Sequence, residues 1–181
     1  MATRKEANFP YRFAEIRHNE TQSLVIPSHS SERRMYLPIG LTSERVIISN
    51  AAQFVSNAGP FDLSITSSCM HMVWLRTVGG RLKTDYRYSS ALVYNTFPFR
   101  GNSTSIKEEL ALCGLRILEV RERYPGRTLA ELYDPDKMPE DLLEAHKLND
   151  EAVERSYRAR PFESDEDRLQ VLFNLYAKMT A

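Results

Sequence analysis

The sequence is poor in several residue types, and each shortage excludes a class of protein. Two cysteines among 181 residues, Cys69 and Cys113, give no disulfide framework and indicate a reducing compartment. No apolar run approaches membrane-spanning length and the N-terminus lacks the apolar stretch of a signal peptide, so we expect a soluble, cytoplasmic protein without a membrane partner. Glycine-rich phosphate loops and cysteine pairs at metal-binding spacing are also missing from the sequence.

Candidate catalytic groups are scarce as well. The four histidines are scattered, and isolated histidines inside helical patterns, such as His71 and His146, are typical of structural positions rather than of metal ligands. The acids at residues 165–167 open a helical pattern, where the helix dipole favours negative charge. The sequence therefore offers no catalytic residue, no metal site and no cofactor site in this chain, and it leaves open whether the chain is an enzyme.

Neither sign of charge is in excess, because 24 lysines and arginines balance 24 acids. The balance hides an asymmetry: residues 1–100 carry 12 basic and 7 acidic side chains, whereas residues 101–181 carry 12 and 17. A positive front part is suited to a polyanion, although only clustering in space would make a binding surface. The acidic back part should face water or another protein.

Hydrophobic periodicity predicts an α+β fold with two domains. A β-rich domain with one central helix is expected over residues 1–100, and an all-helical domain over residues 101–181. Turn residues bound a series of short strand patterns in the front domain. These strands are predicted at residues 12–16, 23–27, 35–41, 44–49 continuing into 53–56, 81–88 and 91–97.

Helices are predicted from apolar stripes and capping residues. The central helix of the front domain carries a stripe from Met70 to Thr77, after a serine cap at position 67 or 68 and before Gly79. In the back domain, the capping box SIKE at residues 105–108 opens the first helix. Further helices are expected at residues 129–133, from Pro139 onward, and after the cap Ser164.

Residues 81–88 combine a strand pattern with charges of both signs. They alternate strictly, so an extended backbone would have a charged face (Arg81, Lys83, Asp85 and Arg87) and a packing face (Leu82, Thr84, Tyr86 and Tyr88). Mixed signs suit base reading, since lysine contacts guanine and aspartate accepts from the cytosine amine, so Lys83 and Asp85 could address one G·C pair. A solvated sheet face with cross-strand ion pairs would show the same pattern.

Three long blocks of the sequence resemble one known family. They are SSERRMYLPIGL, SSCMHMVWLRTVGGRLKTDYRYSSALVYNTFPF, and TLAELYDPDKMPEDLLEAHKLNDEAVERSY ending in DRLQVLFNLY. These blocks look like the C-terminal part of MmeI-like, type IIL restriction-modification proteins and their relatives among adenine-specific DNA methyltransferases. The resemblance extends from Phe13 to Tyr176.

This resemblance implies a place in a larger architecture. Family members join a nuclease domain, a helical connector, an S-adenosylmethionine-dependent methyltransferase, a target recognition domain and a C-terminal helical domain, and this chain looks like the last two. The catalytic Asn-Pro-Pro-aromatic motif and the nuclease motif are absent here. Double-stranded DNA and the methyltransferase domain are the implied partners, and the parent would use S-adenosylmethionine, with Mg²⁺ if it cleaves.

The resemblance also implies roles for individual residues. Lys83 and Asp85 match the pair that reads the base pair beside the methylated adenine, where lysine with aspartate goes with G. Arg87 with Ala51 matches the pair for the adenine's other side, and Asn50 matches a reader one base further out. Four arginines are candidates either for DNA backbone contacts or for structural pairing within the protein: Arg33, Arg34, Arg76 and Arg81.

The implied function is therefore sequence-specific DNA recognition for an enzyme whose catalytic domains lie elsewhere. In that reading Trp74, Tyr86 and Tyr88 belong to the core rather than to a base-stacking platform. One alternative is a protein-interaction adaptor that works through its acidic helical part and has little DNA affinity. Another is an autonomous enzyme with a novel site. Salt-sensitive duplex binding distinguishes the first function from the adaptor.

Overall fold

The computed structural model describes residues 20–49, 51–99, 101 and 103–181, so the strand predicted at residues 12–16 lies outside the described residues. The strands are β1 (Ser23–Pro27), β2 (His29–Ser30), β3 (Gly40–Thr42), β4 (Ala52–Ser56), β5 (Gly80–Leu82) and β6 (Asp85–Arg87). The helices are α1 (Pro60–Thr66), α2 (Cys69–Val78), α3 (Thr104–Glu122), α4 (Leu129–Leu132), α5 (Glu140–Tyr157) and α6 (Asp165–Thr180). A π-helical turn spans Ser90–Tyr94.

Two small antiparallel sheets are joined through a single residue, Ser28. The first sheet has the order β3-β1-β4, and the second has the order β2-β6-β5. The Ser28 carbonyl accepts a hydrogen bond from the Tyr88 N–H (2.9 Å), and the Ser28 hydroxyl accepts one from the Gln53 side-chain amide (3.4 Å). Ser28 thus ties the chain that leaves β6 to β4 of the other sheet.

Helix α2 lies at the centre of the front part. Ser68 caps its N-terminus by accepting a hydrogen bond from the His71 N–H (3.2 Å), and Gly79 follows its last residue. All six residues from Met70 to Leu75 are buried, because α1, α5, α6 and the π-helical turn surround the helix. A helical segment covered on every side needs a largely apolar sequence, and all of these six residues except His71 are apolar.

The back part is helical, as predicted, and packs tightly on α1. Helix α3 lies between α1 and α5. At Gly114 the helices approach so closely that a Cβ atom there would lie 2.0 Å from the carbonyl oxygen of Pro60. Ser103, rather than Ser105, caps α3, while the cap Ser164 on α6 is confirmed.

Buried polar contacts connect the front part with the back helices, and we call these contacts the joint. The Ser64 hydroxyl donates to the Asn149 carbonyl oxygen (2.5 Å), and the Asn149 amide donates to the Ser64 carbonyl (2.9 Å). Asp150 accepts from the Tyr36 hydroxyl and from the Cys69 N–H, each at 2.6 Å. Burial raises the pKa of Asp150 to about 6.

A second group of the joint surrounds His146. Its Nε2 atom is hydrogen-bonded to the Tyr133 hydroxyl (2.7 Å), and its ring stacks on Tyr36 with the ring centroids 4.2 Å apart. Arg121 donates to both the Tyr133 hydroxyl and the Ile39 carbonyl, the latter at 2.8 Å. Burial, reinforced by the nearby Arg121 charge, lowers the pKa of His146 to about 3.

The α+β prediction is confirmed, but several front elements differ from the expected ones. Among the described residues of the front part there are two helices rather than one, since α1 precedes the predicted helix α2. The strand predicted at residues 44–49 is wrong, and Val46 and Ile47 in this segment are 43% and 68% exposed. The strand predicted at residues 35–41 is reduced to β3. In place of the strand predicted at residues 91–97, residues 90–94 form the π-helical turn, and the Ser89 side chain accepts a hydrogen bond from an N–H group of this turn. A short apolar run does not by itself distinguish these outcomes.

Candidate nucleic-acid interface

Residues 81–88 form a hairpin instead of the single strand expected from their alternation. Strands β5 and β6 pair antiparallel, with Arg81 opposite Tyr86 and Leu82 opposite Asp85. Lys83 and Thr84 are the two turn residues between them. Lys83 has a φ of 57°, in the left-handed region that favours glycine, so the backbone at the tip is strained.

The turn reverses the chain between Leu82 and Asp85, so the residues on each face of the hairpin differ from those predicted for a single strand. Cross-strand partners share a face and successive residues alternate. Leu82 therefore lies on the same face as Asp85 and Arg87, while Arg81 lies with Tyr86. β2 extends the first of these faces, since His29 is opposite Arg87. We call His29, Leu82, Asp85 and Arg87, with Lys83 at the tip, the hairpin face; all five are exposed.

The charged groups of the hairpin face differ in how firmly they are held. The Asp85 carboxylate accepts a hydrogen bond from the Glu32 N–H, with 3.3 Å between nitrogen and oxygen. Among the described residues, the side chains of Lys83 and Arg87 have no hydrogen bond or ion pair with another part of the chain. A carboxylate that still has open lone pairs beside an unpaired ammonium group is a suitable pair for the two halves of a G·C base pair.

Arg87 is positioned by a glycine on the neighbouring strand. A Cβ atom at Gly80 would lie 3.6 Å from the Arg87 Cβ and 3.8 Å from its Cδ, so the aliphatic part of the arginine lies over Gly80. Ala51 directly precedes Ala52, which pairs with Pro27, and Arg87 pairs with His29. Ala51 and Arg87 therefore both lie near the segment at residues 27–29. Asn50, the third reader of this group, lies outside the described residues.

The aromatic residues behind the hairpin belong to the core, as expected. Trp74, Tyr86 and Tyr88 are 1%, 6% and 3% exposed. The Tyr88 hydroxyl is hydrogen-bonded to Nε2 of His71 (3.0 Å), and burial lowers the pKa of His71 to about 3. These contacts fix the end of the hairpin to α2 and leave none of the three rings available to stack on bases.

The four arginines considered for backbone contacts all make contacts within the protein. Arg33 forms an ion pair with Asp136 (2.8 Å), which raises the pKa of the guanidinium group, and Arg76 pairs with Asp165 (3.1 Å). Arg34 donates to the Ala130 carbonyl at 3.3 Å. Arg81 donates to the Thr84 carbonyl (2.9 Å), and its guanidinium lies 4.3 Å from the centroid of the Tyr86 ring. Structural pairing is thus the arrangement seen, although each guanidinium keeps donors that are not used.

Sequence reasoning missed two members of the hairpin face. It placed Leu82 on the packing face, and it gave His29 no role. Only the chain reversal at Lys83 and the pairing of β2 with β6 reveal them, and neither leaves a recognisable signal in the sequence. Within the part of the chain that is described, no three metal-binding side chains cluster, and no helix is long and apolar enough to cross a bilayer.

Two protein-family models together match almost the whole chain. Residues 1–101 match the MmeI target recognition domain, and residues 105–181 match the MmeI C-terminal domain. The chain belongs to the MmeI family. The first of these models covers the hairpin face and α2, and the second covers helices α3 to α6.

Relatives of this MmeI-family chain are much longer than the chain itself. DNA methyltransferase A of Bacillus subtilis (strain 168) is 48% identical over 178 residues, which are 98% of this chain and 20% of that protein. A solved structure of the type IIL restriction-modification enzyme MmeI in complex with DNA matches 99% of this chain, with a TM-score of 0.91 and 41% identity. This chain covers 24% of the MmeI chain.

Proposed function

We propose that this chain recognises a specific double-stranded DNA sequence for an S-adenosylmethionine-dependent adenine methyltransferase of the restriction-modification type. The observation that carries the proposal is the hairpin face, where Lys83 and Asp85 are exposed and available to bases in a domain of the MmeI target-recognition family. Residues 1–100 would be the recognition domain and residues 101–181 the helical domain that supports it. The methyltransferase domain of the parent would bind S-adenosylmethionine, and Mg²⁺ if the parent cleaves.

In this proposal Lys83 and Asp85 read one G·C pair beside the target adenine. The lysine ammonium donates to guanine O6 or N7, and the Asp85 carboxylate accepts from the cytosine N4 amine. The Glu32 N–H bond to Asp85 holds one carboxylate oxygen and leaves the second oxygen for the base. A bidentate contact discriminates between bases by about 1 to 3 kcal/mol, so a few such positions supply a useful specificity ratio.

Arg87, with Ala51, would read the pair on the adenine's other side, and Asn50 one position further out. The small Ala51 leaves space, and Arg87 projects from the hairpin face with its stem over Gly80. Arg81, Arg76, Arg33 and Arg34 would contact the DNA backbone through donors that their internal bonds leave open. Arg33 and Arg76 are the weaker of these candidates, because the Asp136 and Asp165 carboxylates already pair with them.

Selection from a randomised duplex pool at two salt concentrations tests the proposal. The wild-type chain should enrich a site with G at one position, and its affinity should fall with salt, because phosphate contacts release counterions. The double variant Lys83→Glu plus Asp85→Arg should change the preference at that one position and leave the others as they are.

A charge exchange elsewhere provides the matched control. Arg155 and Glu109 form an exposed ion pair (2.6 Å) between α5 and α3, so Arg155→Glu plus Glu109→Arg changes two charges without touching the hairpin face. This control should select the wild-type site. Enrichment of no site by the wild-type chain would contradict the proposed function, and specific binding to a methyltransferase chain without any DNA affinity would identify the adaptor instead.

A further inference from the structure

Leu82 is an apolar side chain that the described residues leave more than half exposed. It is 54% exposed and lies on the hairpin face among charged residues. Leu82 is not among the described residues that pack on either hydrophobic core. Because the side chain contributes little to the core, it is free to contact a molecule bound at the hairpin face.

The register of the hairpin sets Leu82 directly beside a proposed base reader. Leu82 is the cross-strand partner of Asp85, and side chains at such positions have their Cβ atoms about 5 Å apart on one face of the sheet. Lys83 follows Leu82 at the tip of the hairpin. Leu82 therefore neighbours both groups that would address the G·C pair, Asp85 across the strands and Lys83 along the chain.

The chemistry of the major groove matches this arrangement. Asp85 would accept from the cytosine N4 amine, and the C5 position of a pyrimidine is adjacent to the carbon that carries this group. Thymine has a methyl group at C5, and apolar side chains contact that methyl in the major groove. We infer that Leu82 contacts the pyrimidine C5 edge beside Asp85 and makes recognition sensitive to a C5 methyl group, as in 5-methylcytosine. This inference rests on the proposed function.

The test measures binding of the 181-residue chain to duplexes that carry its selected site. In one duplex the cytosine that pairs with the selected G is unmodified, and in the other it is 5-methylcytosine. Burying one methyl group against Leu82 should tighten wild-type binding by about fourfold. Leu82→Ala should bind both duplexes equally, and Leu82→Met should restore part of the preference because its side chain is apolar and of similar length.

Leu112→Ala is the matched control, since Leu112 is also an exposed leucine (66%) but lies on α3. This variant should keep the wild-type response to methylation. Equal binding of the two duplexes by the wild-type chain, or an unchanged methyl response in Leu82→Ala, overturns the inference while leaving site selection, and so the proposed function, intact. A wild-type chain that selects no site overturns the proposed function and this inference with it.

Discussion

The hairpin face and the joint use polar residues in opposite ways. In the joint, Asn149 and His146 are fully buried, and the hydrogen bonds of Ser64, Asn149 and Asp150 measure 2.5 to 2.9 Å. On the hairpin face the side chains are exposed, and the one hydrogen bond to Asp85 measures 3.3 Å. A buried polar group without its partner destabilises a fold, whereas an exposed one exchanges its partner for water. The joint should therefore determine stability, and the hairpin face should determine what is bound.

The largest expected effect is acid unfolding through His146 in the joint and His71 behind the hairpin. Burial lowers both pKa values to about 3, from 6.5. Below pH 6.5 the unfolded chain binds protons that the folded chain does not, so stability is present above pH 6.5 and is lost as the pH falls towards 3. Between pH 6.5 and 4.5 each histidine should cost about 2 kcal/mol of unfolding free energy.

Urea unfolding at several pH values measures this loss. The variant His146→Gln should be less stable than wild type at pH 7, since a buried contact is lost, but its stability should fall less steeply on acidification. A variant curve parallel to that of wild type would show that His146 does not carry the acid sensitivity.

Close packing at Gly114 gives the next largest effect. In Gly114→Ala the new Cβ would meet the Pro60 carbonyl oxygen at 2.0 Å, which only a separation of α1 and α3 can relieve. Overpacking against backbone should lower the unfolding free energy by about 3 kcal/mol. Glu108→Ala, on an exposed part of the same helix, should leave the urea midpoint unchanged. If the two variants unfold at the same urea concentration, the approach of α1 and α3 is looser than described.

Asp150 should act with the opposite sign to the histidines. Its pKa is raised from 3.8 to about 6, so the folded chain holds a proton that the unfolded chain releases, and this stabilisation is lost as the pH rises through 6. Asp150 therefore offsets about 2 kcal/mol of the acid loss between pH 6.5 and 4.5. Asp150→Asn should remove the offset and steepen the fall in stability measured by urea unfolding. A shallower curve for the variant would contradict the assignment.

The smallest expected effect separates the two regions most sharply. Lys83→Gly should raise the unfolding free energy by about 0.5 to 1 kcal/mol, because glycine adopts positive φ without steric cost. The same variant should lose the preference for G in the pool selection. Asn57→Gly is the control: Asn57 also has a positive φ (56°), but asparagine tolerates it better, so the gain should be smaller and the selected site unchanged. A destabilised Lys83→Gly with wild-type selectivity would reverse the roles given to the two regions.

The back helices could be predicted because their signals are local. Ser164 lies next to the helix it starts, and the apolar stripes of α3 and α5 are long. The same is true of α2, between Ser68 and Gly79. Strand β1 was also predicted with its observed bounds.

The candidate site could be predicted only in part, because its geometry depends on a hairpin turn whose residues are not typical of turns. Two-residue hairpins favour Asn-Gly or Asp-Gly, whereas Lys83-Thr84 looks like the middle of a strand. The alternation rule therefore identified the charged residues but assigned Leu82 and Arg81 to the wrong faces. The segment at residues 44–49 has strand-forming residues, yet it pairs with no strand among the described residues.

The single-residue link at Ser28 constrains how chains of this fold vary in length. Side chains on a strand alternate, so one residue added between β1 and β2 would exchange the faces of His29 and Ser30 and would move Ser30 out of the core. We therefore expect insertions and deletions to be excluded from residues 23–30, even where His29 itself is replaced. A change of binding preference in this region should then proceed by substitution alone.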